Sequence, residues 1–128
     1  MSERQQGFSF SPAQKQDIAL ALNFRRDLFD EIGVPAYSLI DNCDDVLFAL
    51  YQDEFERGRI QHFIAYNGEH KPVAITGALL KADFPYSLFK PGYYGWIIDV
   101  YTVPQYRGQK LASQLLELTR QWLITKGV

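Results

Sequence analysis

The chain has 128 residues, a formal net charge of -2 at pH 7 and 47% hydrophobic residues. This length fits one domain with a single core, and the composition excludes an intrinsically disordered chain. The slightly acidic balance disfavours nucleic acid as a partner, because phosphate backbones are bound by basic surfaces. The single Cys43 excludes an internal disulfide, and neither a leader nor an apolar membrane span is recognisable, so a cytoplasmic protein without a membrane partner is expected.

The first half of the chain predicts one short strand followed by two helices. Residues 7–10 (GFSF) can form the strand. The first helix is expected to start after Ser11 as its N-cap and to end at Gly33, since apolar residues between them recur at helical spacing. A second helix is expected over residues 45–57, with apolar side chains again on one face.

The second half predicts three strands and a last helix. Residues 60–67 and 72–82 read as the two arms of a hairpin, and Gly77 inside the second arm indicates a bulge or a close backbone approach. Residues 94–103 are apolar on both faces, which predicts a central strand. The last helix is expected to begin near Arg107. The order β-α-α-β-β-β-α predicts an α/β fold with a mixed, mostly antiparallel sheet.

The passage from the last strand to the last helix carries the clearest functional signal. A strand that runs through a short loop into a helix leaves backbone N–H groups free at the helix N-terminus, where the helix dipole favours anions. The segment RGQKLA, residues 107–112, adds a glycine and two cationic side chains, so a diphosphate would fit. The alternative is a plain connection with solvated basic residues. The Walker loop and the GxGxxG dinucleotide motif are both absent from the sequence.

RGQKLA resembles the main motif of the GNAT N-acetyltransferases, which use acetyl-CoA. That motif is Gln or Arg, two residues, Gly, one residue, then Gly or Ala; Arg107 matches its first position and Ala112 its last. The preceding VYTVPQYRG is similar to the strand and turn of many members, and the order of elements agrees over residues 8–128. One departure is Lys110, which stands where the family usually has its middle glycine, although Gly108 lies close by.

The resemblance implies a GNAT acyl-CoA N-acyltransferase-like fold with acetyl-CoA as co-substrate. The family continues with a fifth strand, so residues 1–128 are expected to be a single domain that comprises only the N-terminal part of that fold. The pantetheine arm would pair with backbone groups of three strand residues, and a strand N–H near Tyr101 would polarise the thioester carbonyl. The residues implied for cofactor binding are Tyr101, Thr102, Val103, Arg107, Gly108, Gln109, Lys110, Leu111, Ala112 and Ser113.

Asp99 is the candidate catalytic base, because it is the one carboxylate inside the predicted strand 94–103 and the acceptor amine must lose a proton. The alternative is that Asp99 caps a turn or lies at the edge of the sheet. The family's usual tyrosine acid would lie after residue 128, so no acid is assigned. His62 and His70 are far apart in the sequence and there is one cysteine, so no metal site is expected.

Three functions are compatible with these residues. The first is transfer of an acetyl group from acetyl-CoA to a primary amine of a small molecule or a protein. The second is a catalytically inactive GNAT-like module that binds acyl-CoA or a protein partner, which Lys110 favours. The third is an unrelated α/β domain with a phosphate site. An exposed edge on the fourth strand would also invite pairing with a second copy, so a homodimer is one expectation. Acidic residues mildly favour a cationic acceptor or simply solvate the surface: Asp30, Glu31, Asp44 and Asp45.

Overall fold

The computed structural model of the chain describes residues 7–34, 43–82 and 93–128. Its strands and helices follow the predicted order, which is confirmed: β1 (Ser9–Pro12), α1 (Ile18–Ile32), α2 (Cys43–Glu56), β2 (Ile60–Tyr66), β3 (Pro72–Ala82), β4 (Tyr93–Thr102) and α3 (Leu111–Thr125). The aromatic-rich loop predicted before β4 lies outside the described residues, apart from Tyr93, which opens the strand. No helix within the described ranges is long and apolar enough to cross a bilayer.

The four strands form one antiparallel sheet in the order β1-β2-β3-β4. The prediction of a central strand over residues 94–103 is therefore wrong for the described sheet, because β4 is its last strand. Trp96 and Ile97, on opposite faces of β4, are 50% and 46% exposed. Apolar residues on both faces of a strand reflect packing above and below the sheet. They do not determine whether the edge of the strand is paired.

Helices cover both faces of the sheet. In β2, Phe63 and Ala65 pack with Leu115 of α3, whereas Ile64 between them packs with Phe24 of α1, as the two-residue period of a strand requires. A third cluster joins α1 and α2 to the start of β2 through Ile18, Tyr51 and Ile60. The α1/α2 face of β4 thus looks onto two helices, and this face carries the polar cluster described below.

Helix α1 starts later than the sequence predicts. Ser11 and Pro12 belong to β1, where they pair with β2, so Ser11 cannot cap the helix. A short 3-10 turn follows, in which the Asp17 carboxylate accepts a hydrogen bond of 2.8 Å from the Gln14 N–H, and α1 begins at Ile18. Its predicted end at Gly33 is confirmed. Strand pairing overrides the local Ser-Pro capping signal at this point.

Helix α3 also starts later, at Leu111 and not near Arg107. Gly108 and Lys110 have φ angles of 83° and 63°, and neither value is compatible with a right-handed helix. Residues Pro104–Tyr106 form a 3-10 turn before this loop. The chain therefore leaves β4, makes two left-handed turns at Gly108 and Lys110, and enters α3 with its first N–H groups at the carboxyl end of β4.

Candidate active site

Strand β4 contains a bulge at Asp99. Between the pairs Ile75–Tyr101 and Gly77–Ile98, β4 has one residue more than β3, and Asp99 within this stretch has a φ of 56°. A bulge leaves its extra residue outside the hydrogen-bond ladder and turns the side chain away from the regular alternation. A left-handed conformation is unusual for a residue other than glycine and costs energy that surrounding contacts must offset.

The contacts that offset the strain at Asp99 come from three different elements of the fold. The Asp99 side chain is buried, and its carboxylate accepts hydrogen bonds from Arg25 Nη1 at 2.7 Å and Tyr51 Oη at 2.6 Å. His62 Nε2 lies 2.9 Å from Asp99 Oδ2, and since an ionised carboxylate only accepts, this nitrogen donates. Arg25, Tyr51, His62 and Asp99 are called the Asp99 cluster below. It ties α1, α2 and β2 to the bulge.

The cluster keeps the Asp99 carboxylate ionised. Burial acts to raise the pKa of Asp99, but the hydrogen bonds of His62 and Tyr51 and the charge of Arg25 outweigh it, so the pKa lies below its usual value. Burial, and then the Asp99 charge, raise the pKa of the Tyr51 phenol. Three donors thus occupy the carboxylate and lower its proton affinity. The general-base role of Asp99 stays a prediction, whereas its contacts hold the bulge directly.

Gly77 provides the space that the cluster needs. His62 stands opposite Gly77 in the β2–β3 ladder, and a Cβ atom at Gly77 would lie 2.4 Å from His62 Cδ2. The imidazole ring is held from the other side by the Tyr51 ring, with centroids 5.6 Å apart. Of the two predictions for Gly77, the close approach is confirmed, whereas the bulge lies opposite Gly77, in β4.

A groove of about 380 Å³ lies where β4, α1 and the start of α3 meet. It brings together eight of the residues predicted for cofactor binding: Tyr101, Thr102, Arg107, Gly108, Lys110, Leu111, Ala112 and Ser113. It also includes four that the sequence analysis did not nominate: Leu28, Glu31, Val100 and Tyr106. Leu28 and Glu31 come from α1, so the linear motif could not indicate them, whereas Val100 and Tyr106 lie within the VYTVPQYRG segment.

Val103 and Gln109 do not line this groove. The Val103 N–H donates to the Val73 carbonyl at 2.9 Å, and its carbonyl accepts the Tyr106 N–H at 2.8 Å. Val103 therefore has no free N–H for the predicted pairing with a pantetheine arm. Its contacts instead fix the turn that carries the groove.

The floor of the groove at α3 is suited to an anion. Lys110 is the N-cap of α3, and its side chain makes no capping hydrogen bond. The N–H groups of Leu111, Ala112 and Ser113 come before the first i-to-i-4 bond, which Gln114 donates to Lys110, so they have no partner inside the helix. Lys110 also adopts the left-handed conformation that glycine would favour at this position. Successive backbone N–H groups beside a left-handed residue are typical of anion-binding loops.

One ion pair spans the groove. Arg107 Nη2 lies 2.7 Å from Glu31 Oε1 on α1, and Arg107 Nε donates to the Thr102 carbonyl at 2.8 Å. The Tyr101 hydroxyl also donates to Glu31, at 3.3 Å. The Arg107 hydrogen bond lowers the pKa of the Glu31 carboxyl. Glu31 thus holds a cation that an incoming anion would otherwise meet.

The remaining sequence candidates are placed elsewhere. His70 stacks on Tyr66, with ring centroids 4.5 Å apart, and is not part of the Asp99 cluster. Within the ranges that the structure describes, no three His, Cys, Asp or Glu side chains gather into a group that could hold a metal ion. Of the acidic residues considered for a cationic acceptor, Asp44 pairs with Arg26 and Glu31 with Arg107.

Comparisons with known proteins agree with this geometry. The model of the acetyltransferase (GNAT) family matches residues 25–128. No curated protein sequence matches the chain at a significant level. Among solved structures, a predicted acetyltransferase from Clostridium acetobutylicum, crystallised with acetyl-CoA, is similar with a TM-score of 0.83 and 23% identity. That alignment covers 94% of this chain and 76% of the other.

Two further structures share the fold at lower identity. A GCN5-related N-acetyltransferase from Ralstonia eutropha has a TM-score of 0.83 at 19% identity, covering 95% of this chain and 79% of its own. Glucosamine-6-phosphate N-acetyltransferase from Arabidopsis thaliana has a TM-score of 0.65 at 17% identity, covering 94% and 76%. At these identities the likeness establishes the fold, and the family match covers most of the chain. The chain belongs to the acetyltransferase (GNAT) family.

Proposed function

We propose that this protein is an N-acetyltransferase that moves an acetyl group from acetyl-CoA to a primary amine of a small molecule or a protein. The observation that carries the proposal is the groove at the end of β4. It combines free N–H groups at the start of α3, two cationic residues, Arg107 and Lys110, and the bulge of β4. Family membership and the likeness to an acetyltransferase crystallised with acetyl-CoA support it.

The residues of the groove fit acetyl-CoA. The N–H groups of Leu111, Ala112 and Ser113 would hold the diphosphate, with the helix dipole behind them. Lys110 would add positive charge. Tyr101 and Thr102 belong to the last strand of the described sheet, along which an extended pantetheine arm would lie, and the Thr102 carbonyl would first have to release Arg107.

Acetyl-CoA supplies the acetyl group as a thioester. The amine nitrogen forms a C–N bond with the acetyl carbon, and the C–S bond of the thioester breaks. The nitrogen loses a proton, and the products are the amide and the CoA thiol. The residues of this chain would orient the thioester and supply charge at its carbonyl and at the amine. A backbone N–H released from the ladder by the bulge would polarise the carbonyl, which is oxyanion-type stabilisation. Asp99, directly or through a water, is the predicted acceptor of the amine proton.

The test is release of free thiol from acetyl-CoA, measured in the presence and absence of a panel of primary amines. An acetyltransferase gives amine-dependent, saturable thiol release. Binding of acetyl-CoA in calorimetry without thiol release by any amine would favour the inactive module instead. Binding of ATP and acetyl-CoA with equal strength would favour a general phosphate site.

The inactive module remains the second candidate because of one observation. The Glu31–Arg107 ion pair occupies the groove, and an acyl-CoA must displace it or bind around it. A module of this kind would bind acyl-CoA or a protein partner without turnover. Pairing of the β4 edge with a second copy is a further proposal for either function, and sedimentation velocity over a range of concentrations tests it.

Replacing Glu31 with glutamine is expected to tighten acetyl-CoA binding several-fold. The change frees Arg107 for the diphosphate and removes a negative charge from the wall of the groove. Calorimetric titration of both proteins measures the effect. Glu117→Gln is the matched control, since Glu117 forms a similar exposed pair with Arg120 at 2.7 Å on α3 but does not line the groove. Equal effects of the two substitutions would mean that net charge, and not the ion pair, sets the affinity.

Replacing Lys110 with glycine is expected to stabilise the fold by about 0.5 to 1 kcal/mol, because it removes the cost of a left-handed non-glycine residue at the N-cap of α3. Urea unfolding measures the change. Lys126→Gly is the control, because Lys126 ends the same helix with a φ of -91°, so replacing it with glycine relieves no backbone strain. Stabilisation by both substitutions, or by neither, contradicts the strain argument.

A further inference from the structure

A second cavity, of about 340 Å³, lies on the α1/α2 face of the sheet between α2, β3 and β4. Its walls include Leu50, Leu79, Trp96 and Ile98. Leu50 and Trp96 are 53% and 50% exposed, although both are large apolar side chains. Large apolar side chains that stay exposed around a concave surface are typical of ligand-binding grooves.

The charges around this cavity favour one kind of occupant. Arg25 and Lys81 line it, and the Lys81 ammonium lies 5.0 Å from the centre of the Trp96 ring. Glu54 is the one carboxylate among the described lining residues, and both of its oxygens already accept hydrogen bonds from Arg59, at 2.7 and 3.2 Å. A polycation would thus meet the Lys81 ammonium, whereas the charges of Arg25 and Glu54 are already paired with Asp99 and Arg59.

The cavity and the proposed acetyl site are lined by neighbouring parts of α1 and β4. Ile98 in the wall of the cavity and Val100 in the wall of the cofactor groove flank Asp99 on β4. Arg25 and Tyr51 also line the cavity while they bind Asp99 in the cluster. A molecule in this cavity can therefore present a nitrogen at the bulge.

We propose that this cavity is the acceptor subsite and that it selects primary monoamines with an apolar aryl or alkyl body over polycationic amines. The inference rests on the proposed acetyltransferase function and adds its substrate class. Trp96 and Leu50 contact the apolar body. Lys81 disfavours a bound ammonium ion, and so favours the neutral amine, which is the form that attacks a thioester.

Fluorescence tests binding without any need for turnover. The sequence has two tryptophans, so Trp122→Phe leaves Trp96 as the single reporter. Titration with phenethylamine, with and without free CoA, is expected to give a saturable change that spermidine does not produce. Leu50→Ala is expected to weaken phenethylamine binding about fivefold or more, whereas Ile124→Ala, which changes a side chain of α3 that is also 54% exposed, leaves it unchanged. No saturable change with phenethylamine in either condition, or tighter binding of spermidine, overturns the inference.

Kinetics separate the inference from the proposed function. With phenethylamine and acetyl-CoA, Trp96→Ala is expected to raise the KM for the amine about tenfold, with little change in kcat. Ile97→Ala, on the opposite face of the same strand, is expected to change neither value. Acetylation of spermidine but not of phenethylamine would leave the acetyltransferase proposal intact and overturn the substrate class. Phenethylamine binding at Trp96 without acetyl-CoA binding would uphold the ligand class and overturn the acetyltransferase.

Discussion

Substituting Asp99 by asparagine is expected to lower the free energy of unfolding by about 3 kcal/mol, because it breaks a buried ion pair. The carboxylate accepts hydrogen bonds from Arg25, Tyr51 and His62, and an asparagine amide would turn an NH2 group toward one or more of these donors. Urea unfolding followed by circular dichroism measures the loss. Since the same contacts hold the bulge, kcat is also expected to fall in any amine-dependent thiol release.

The control for this substitution is Asp53→Asn. Asp53 pairs with Arg57 at 3.0 Å, but both side chains are more than half exposed, so about 0.5 kcal/mol or less is expected. The pH dependence gives a second readout. The pKa of Asp99 is lowered in the fold, so its stabilising contribution is present above the unfolded value of about 3.9 and is lost as pH falls through the folded pKa. The native protein should lose stability in that acidic range more steeply than Asp99→Asn. Equal losses for Asp99→Asn and Asp53→Asn would contradict a stabilising role for the cluster.

Replacing Gly77 with alanine is expected to destabilise the fold by about 1 to 3 kcal/mol through overpacking. The new Cβ would meet the His62 ring, which is buried and stacked on Tyr51, so the ring cannot swing aside freely. His62 would then lose its hydrogen bond to Asp99, and kcat is expected to fall more than acetyl-CoA affinity. Urea unfolding and thiol-release kinetics measure the two effects.

Gly68→Ala is the matched control for Gly77→Ala. Gly68 precedes β3 in the hairpin turn, and a Cβ there would come no closer than 3.8 Å to its nearest neighbour, Gly7 O. Its substitution should leave activity unchanged. If Gly77→Ala is as active and as stable as Gly68→Ala, the His62 ring does not need the space above Gly77, and the account of the cluster is incorrect.

The parts of the fold that local sequence signals control could be predicted. Gly33 ends α1 as expected, and β3 has the predicted bounds, because a helix cap or an apolar run after a turn is encoded in neighbouring residues. The start of α1 could not be predicted, since Ser11 pairs with Ile64, more than 50 residues away in sequence. The position of β4 at the edge of the described sheet could not be predicted for the same reason. It depends on which strands pair, and the hydrophobic pattern of one strand does not determine pairing.

One part of the candidate site could likewise be predicted from the sequence, and another part could not. The proposed anion-binding loop lies in one contiguous segment, so its residues could be named in advance. The Asp99 cluster could not, because Arg25 and Asp99 are 74 residues apart and come together only through packing. Arg25 reads in the sequence as part of a solvated helix face, and His62 as an isolated strand histidine. The available signals were a lone carboxylate in an apolar strand and a histidine facing a glycine in the predicted hairpin.

The start of α3 is the part of the chain that we propose to bind the diphosphate of acetyl-CoA. Calorimetric titration of acetyl-CoA into the native chain, Ser113→Glu and Gln121→Glu tests this proposal most directly. A carboxylate at Ser113 suits the first turn of a helix, so the fold is kept, but it competes with the diphosphate for the free N–H groups. Gln121 is exposed on the same helix about 12 Å further along, beyond the screening length at about 0.1 M salt. Acetyl-CoA is expected to bind the native chain and Gln121→Glu saturably, and to bind Ser113→Glu at least about tenfold more weakly. Equal binding by all three folded proteins, or binding by none, would contradict this proposal.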